Sequence, residues 1–577
     1  MNRMLKKLIV FFKGYRVAAV LSPILMLIEV AADVTSPFLM RLVVNEGVLK
    51  RDVAAVTHYG LLMVLMAVIG FVTGGTASYM GARAGQGFGA NLRNTMFRRI
   101  QAFSFANLDH FGSATLITRL STDAQRLAQT AEMTLRMSVR APVMLTLATI
   151  MALSINTELA LVFAVAVPVL ALLLYLIIRY AFPRFTQLQD AIDRLNGVVN
   201  ENLAAMRVVK GFVREDFENG KFATRNDEVR AISVRIFNVV IFSMPMMFLV
   251  MYASTIAILW FGGAQIMTGR MPAGDLIGFL TYITQIFISL TMLTMLLVNY
   301  VRAKASAVRC LEVIDQPLDL VSPADGKTTV ASGDIAFEDV CFRYAGMNED
   351  SLKDINLKIE AGRTVGIIGA TGSSKTTLVS LLSRLYDVRS GRVMVGGVDV
   401  RDYDLAALRE NVAVVLQKNT LFTGTVRDNM RFGNATASDE EIWHALEVAS
   451  AKDFVAAKEG GLDHGVEAGG GNFSGGQRQR LTIARALLKK PKILILDDAM
   501  SAVDMATERR LKRSLDEALA GVTVLIIAQR ISSVADADMI VVLADGRIDA
   551  TGDHATLLRT NRIYREVFES QQQGLAS

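Results

Sequence analysis

Apolar residues fall in two regimes along the chain. Up to about residue 314 they form long runs, six of them long enough to span ~30 Å of hydrocarbon. These predict membrane helices at 17–44, 53–79, 139–155, 159–178, 239–261 and 276–301. Beyond them, short apolar strands alternate with helical and glycine-rich segments, the pattern of an α/β domain. The predicted fold is a membrane α-helical domain over 1–315 with long cytoplasmic extensions, fused through a polar linker at 316–333 to an α/β domain over 334–577.

Polar positions set the topology. The connection after the second span carries Arg83, Arg93, Arg98, Arg99, Arg119 and Arg126. The one after the fourth carries Arg179, Arg184, Arg194, Arg207, Lys210 and Arg214. The connections near 46–52, 156–158 and 268–275 are short. Basic residues mark the cytoplasmic side, so both long connections and both termini are expected there, in a cell inner membrane. The basic N-terminus has no small-residue cleavage site before the first span. It reads as a cytoplasmic amphipathic lead-in and not a removed signal. Segments 86–105 and 185–209 read as helices continuing below the membrane, each passing a bend at 104–112 or 206–211. A short transverse helix at each bend would either touch a cytoplasmic domain or stand solvated.

Composition narrows the classes. The chain has 577 residues, too many for one ordinary domain, and its net charge of +6 comes largely from residues flanking apolar runs. With a mean hydropathy of +0.37, this is a lipid-bilayer protein and not a nucleic-acid binder. Cys310 and Cys341 exclude a disulfide framework and read as cytosolic thiols.

Two acids interrupt the first span. Glu29 and Asp33 are four residues apart and share a helix face. Intramembrane acids usually face a cavity or a cationic partner. The alternatives are a site for a cationic substrate or gating contact, and a salt bridge or cap between helices or an interfacial position near the outer leaflet. Met244, Met246, Met247, Met251, Met292 and Met295 either line an adaptable pocket or pack helices.

The chemistry lies in the second half. A segment from Ile335 to Tyr344 reads as an edge strand. The strand from Thr364 runs into Gly369, Ala370, Thr371, Gly372, Ser373, Ser374, Lys375, Thr376 and Thr377, then a helix. That is a phosphate-binding loop in the required strand–loop–helix context. Backbone N–H groups converge on phosphate, aided by the helix dipole. Lys375 is expected on the β/γ-phosphates and the Thr376 hydroxyl on Mg²⁺. Ser374 departs from the pattern, which calls for glycine before the lysine. The apolar strand Ile493–Asp497 ends in an acid, as the Mg²⁺-side strand of a P-loop ATPase does, and Asp498 follows.

The segment Asn472, Phe473, Ser474, Gly475, Gly476, Gln477 and on to Arg480 resembles the signature motif of ATP-binding-cassette proteins. Gln417 matches that family's Mg²⁺-contacting glutamine, Tyr344 its adenine-stacking aromatic, and Ser501 to Asp504 its loop crossing between cassettes. Segments 259–263 and 305–309 resemble the family's exporter membrane domains. The resemblance spans nearly the whole chain. It is to half-size exporters, and more narrowly to heterodimeric multidrug-type pairs of bacteria. It implies ATP and Mg²⁺ as cofactors, with metal contacts from Thr376, Gln417 and Asp497. It implies head-to-tail cassettes, each ATP between one chain's phosphate loop and the other's signature. The family places Glu where Asp498 stands and usually His where Gln529 stands. The resemblance therefore implies a slow site on this chain's phosphate loop. It also implies a partner subunit with intact Glu and His, and export of an amphipathic or apolar solute. The rival readings are an ATP-gated regulatory or channel-like protein, an importer and a lipid flippase.

Overall fold

Helix length sets the architecture of the first half. The computed structural model describes residues 2–576. All six expected spans are helical: α2 (Arg16–Leu42), α3 (Val53–Gln101), α6 (Ala124–Ile155), α7 (Thr157–Ala204), α9 (Glu215–Met267) and α10 (Ala273–Asp315). They follow a short basic helix, α1 (Asn2–Ile9). At 1.5 Å per residue, helices of 48 to 53 residues such as α3, α7 and α9 far outrun the hydrocarbon. Each expected bend holds a short helix: α4 (Phe105–Phe111) and, after α5 (Ser113–Thr118), α8 (Met206–Gly211). The long helices stop a few residues before expected, at Gln101 and Ala204. Ser104 ends the first extension by capping α4, its hydroxyl accepting from Asn107 N.

Small residues let α3 and α6 approach. A Cβ added at Gly81, Gly85 or Gly89 would meet Arg136, Glu132 or Ala128 at 3.1, 2.7 or 2.7 Å. One series steps down by four as the other steps up by four, the register of an antiparallel small-residue contact. In the same bundle the two intramembrane acids find one cation. Arg140 of α6 pairs with Glu29, and its Nη2 lies 2.9 Å from Asp33 Oδ2. The salt-bridge alternative is the one observed. The methionines divide. Met247 is buried in the helical core, while Met244, Met246 and Met295 are exposed.

The chain divides into two compact units, Met1–Arg99 with Ala114–Asp315, and Ile100–Ser113 with Gln316–Ser577. The second unit thus includes α4. There Asp109 accepts from the Tyr386 hydroxyl at 2.8 Å, and Ser104 Oγ donates to Asp319 at 3.1 Å. Burial, then the Asp109 carboxylate, pushes the Tyr386 phenol upward.

The rest of that unit is layered. Strands β1 (Ile335–Phe342), β2 (Leu352–Ile359), β4 (Ser390–Val395) and β5 (Val398–Asp399) form an antiparallel sheet in the order β2-β1-β4-β5. The expectation of an edge strand at β1 is corrected: it pairs with β2 and β4. Its polar residues Glu338 and Asp339 sit at register shifts, which made an interior strand look like an edge. The second sheet holds β3 (Thr364–Gly369), β6 (Val412–Val415), β9 (Ile493–Asp497), β10 (Thr523–Ile527), β11 (Met539–Ala544) and β12 (Arg547–Gly552), ordered β12-β11-β3-β10-β9-β6. A two-stranded ribbon joins β7 (Gly424–Thr425) to β8 (Gly465–Val466). Both faces of the six-stranded sheet are covered. Ile493 and Ile495 enter the core shared with the antiparallel sheet, while Leu494 and Leu496 enter the core under the helices.

Candidate functional site

β3 lies between β10 and β11, all three parallel, so the loop leaving its end opens at the carboxyl edge of the sheet. That edge is where open α/β sheets bind ligands. Gly369 makes the exit tight: a Cβ there would stand 2.3 Å from the Leu543 carbonyl. Lys375 opens α11 (Lys375–Ser380) and folds back over the loop. Its Nζ donates to the Gly369 and Ala370 carbonyls, both at 2.9 Å, and to Ser373 Oγ at 3.4 Å. Burial pulls the Lys375 ammonium below its usual range, and Asp497 and Asp498 oppose that pull. Ser374, at the cap of α11, has φ 70° and ψ 26° with no side-chain capping bond. A left-handed backbone is where glycine is at ease and serine is strained.

Asp497 ends β9 almost fully buried, 2% exposed. Thr376 Oγ1 donates to its Oδ2 at 2.8 Å. Burial raises the Asp497 carboxyl, the Thr376 bond lowers it, and Asp498 raises it again. Asp498 turns sharply at φ 51°. Its Oδ2 accepts from Gln529 Nε2 at 3.2 Å and from Gln417 Nε2 at 3.4 Å. Both acids, both glutamines, Tyr344, Thr371, Gly372, Ser374, Lys375, Thr376 and Thr377 line one cavity of about 410 Å³, with Ser351 and Ile527. Tyr344 is tied to its wall, its hydroxyl 2.9 Å from Thr377 Oγ1.

The cavity suits a nucleoside triphosphate and a hard cation. Its ammonium, loop N–H groups and open space at Gly372 address phosphate. Thr376 and Asp497 supply hard oxygens. Among the described residues no three His, Cys, Asp or Glu side chains cluster as a protein-built cage. Mg²⁺ needs none, since it is commonly held by one or two carboxylates, waters and substrate phosphates.

Ser474, Gly475, Gly476 and Gln477 stand apart from that cavity's lining. They open the helix Gly475–Leu487 with a capping box: Ser474 Oγ accepts from Gln477 N, and Gln477 Oε1 accepts from Ser474 N. Gly476 lies against the Ala502 carbonyl, 2.8 Å from where a Cβ would be. Sequence reasoning passed over Gln479 two residues on. Its buried amide donates to Asp498 O at 3.0 Å and accepts from Ala502 N at 3.2 Å. It thereby ties the signature helix to the loop after β9. Its place inside the signature segment was the available signal.

Comparison with known proteins places both halves in one group. Residues 19–290 match the ABC transporter transmembrane region, and residues 352–501 match the ABC transporter domain. An uncharacterized ABC transporter ATP-binding protein of Mycobacterium tuberculosis is 38% identical over 564 residues, 97% of each chain. The uncharacterized ABC transporter ATP-binding protein YfiB of Bacillus subtilis is 34% identical over 567 residues, 98% of each. A solved bacterial Atm1-family ABC exporter with ATP bound superposes with TM-score 0.79 at 26% identity, over 96% of this chain and 98% of that one.

Proposed function

Because the chain belongs to the ABC transporter family, with an exporter-type membrane region and an ATP-hydrolysing domain in one polypeptide, we propose that it is the slow-site subunit of a heterodimeric exporter. On this reading residues 1–315 form the membrane domain, 316–333 the linker and 334–577 the cassette. ATP binds over Tyr344 and the loop Gly369 to Thr377, and Thr376, Gln417 and Asp497 hold Mg²⁺. That ion would neutralise charge on the phosphates as they part. The signature residues Ser474 to Gln477 serve the partner's ATP, the Ser474 hydroxyl and the glycine N–H groups completing the cradle for its terminal phosphate. The solute is amphipathic or apolar and moves outward across the cell inner membrane, with both termini cytoplasmic.

One observation carries the slow-site reading. The position that should polarise the attacking water holds Asp498, whose carboxylate is one methylene short and is engaged by two amides. Those donors occupy lone pairs on Oδ2 that would otherwise accept a proton from water. Gln529 donates there but takes up no proton. Purifying the chain from its native membrane and identifying the co-purifying subunit tests the reading. The expected result is a second half-transporter with Glu and His at the two equivalent positions. Vigorous hydrolysis by a verified homodimer would overturn it. ATP-driven accumulation of solute in inverted vesicles separates pumping from an ATP-gated channel.

A further inference from the structure

The loop after β10 is held from outside the nucleotide cavity. The C-terminal helix, Arg562–Ala576, is anchored by Tyr564, which is fully buried, and by Phe568, which packs on the same core. Gln571 follows at three residues' remove, on the same face. Its Nε2 donates to the Gln529 carbonyl at 2.8 Å, and its Oε1 accepts from Ile531 N at 2.9 Å. Both ends of one amide thus hold the backbone on either side of Arg530. An amide serves both bonds at once, whereas a carboxylate has no donor and an ammonium no acceptor. Two residues on, Ser533 is bonded to the buried Glu508. The backbone from Gln529 to Ser533 is therefore fixed at both ends, while the Gln529 amide enters the cavity and meets Asp498.

We infer that Gln571 is a positioning residue for this chain's nucleotide site. It sets where the Gln529 amide stands, so the C-terminal helix governs how strongly the site distinguishes ATP from ADP. Gln529 donates to Asp498, which on the proposed reading faces the terminal phosphate. A donor held there finds a γ-phosphate oxygen in ATP and nothing in ADP. The inference rests on the cavity being the nucleotide site. ADP affinity reports that reading alone, and the ratio of ATP to ADP affinity reports the clamp.

The test uses the full-length chain with Gln571→Leu and Gln571→Glu, each alone and combined with Gln529→Ala. ATP and ADP affinities with Mg²⁺ are measured by displacing a fluorescent nucleotide, beside melting temperature. Losing the order that two neutral hydrogen bonds impose is expected to weaken ATP about three- to tenfold and leave ADP unchanged. Gln571→Glu should act likewise, because its carboxylate faces the Gln529 carbonyl. In the Gln529→Ala background neither change should weaken ATP further, since residues acting through one another are not additive. Equal weakening of ATP and ADP, a full effect in the Gln529→Ala background, or an unchanged ratio in folded protein would each overturn the inference. A wild-type chain that binds neither nucleotide would overturn the site reading and the inference with it. If Gln571→Leu does not fold, Gln571→Glu, which keeps the acceptor half, carries the same test.

Discussion

Ser474 and Ser374 both stand at the cap of a helix, and their backbones differ. Ser474 is extended, at φ −66° and ψ 161°, and its hydroxyl accepts from Gln477 N. Ser374 is left-handed, at φ 70° and ψ 26°, and its hydroxyl caps nothing. The same residue type is relaxed on the signature face and strained on the phosphate-loop face. Asp498, also at positive φ, adds to the second face, while Ser474 to Gln477 all keep negative φ. Strain of this kind costs roughly 1–3 kcal/mol per residue and persists only where surrounding structure imposes it. The difference teaches that one cassette holds two faces of unequal chemistry. On the proposed reading they serve two different ATP molecules.

The largest expected effect tests which face drives turnover. In the complex with its partner, Ser474→Ala should lower steady-state ATP hydrolysis about 10²-fold, the usual loss for one donor to developing phosphate charge. Asp498→Asn should change it by less than about threefold, because a slow site adds little to the summed rate. The phosphate-release rate of each complex checks both. If Asp498→Asn abolished turnover and Ser474→Ala left it intact, the two faces would have to exchange roles.

Repairing the weak face is the next way to break the comparison. Asp498→Glu with Gln529→His should raise basal hydrolysis, since a positioned acid–base pair typically contributes ~10²–10⁴-fold and the repair recovers part of it. Nucleotide retained at this chain's site after turnover and washing should fall. Ser374 tempers the outcome: if its strained loop binds ATP weakly, the gain appears only when Ser374→Gly is added. Finding this chain's site empty while the partner's stays filled would end the idea that the slow site retains nucleotide.

Much of this was legible in the chain because its signals are local. Apolar run length marks all six spans, and the strand–loop–helix context marks the phosphate loop. What escaped was long-range or conformational. Arg140 lies 111 residues from Glu29 and 107 from Asp33, so no spacing pairs them. The interior position of β1 depends on partners on both sides, which alternation within one strand does not report. Gln571 carries no local signal in the sequence, and only the fold brings it to the loop after β10. The departure at Ser374 was visible as a missing glycine, but its left-handed backbone was not.

A variant that touches both faces sharpens the comparison. Gln479 joins Asp498 O to Ala502 N from the signature helix. Gln479→Leu leaves the Asp498 carbonyl and the Ala502 N–H, both at part-buried bonds, without their partner. Losing two neutral hydrogen bonds costs about 1–3 kcal/mol in all. The melting temperature should fall by a few degrees. Hydrolysis at the partner's site and nucleotide retention at this chain's site should decline together, unlike either face-specific change. A loss confined to one site would mean that the bridge couples nothing.

The smallest effect isolates the loop itself. In Ser374→Gly the left-handed backbone loses its Cβ penalty, about 1–2 kcal/mol for an ordinary residue. Against that, glycine gives the unfolded chain more freedom to lose, about 0.5–1 kcal/mol. The difference favours the folded variant by roughly 0–1.5 kcal/mol. The cassette should therefore melt slightly later and bind ATP as well as or better than the parent, with Lys375 still folded over Gly369 and Ala370. Calorimetry on the full chain and a nucleotide titration read the two parts separately. Destabilisation would mean that the serine hydroxyl makes a bond in the working loop, and that its left-handed backbone is a requirement and not a strain.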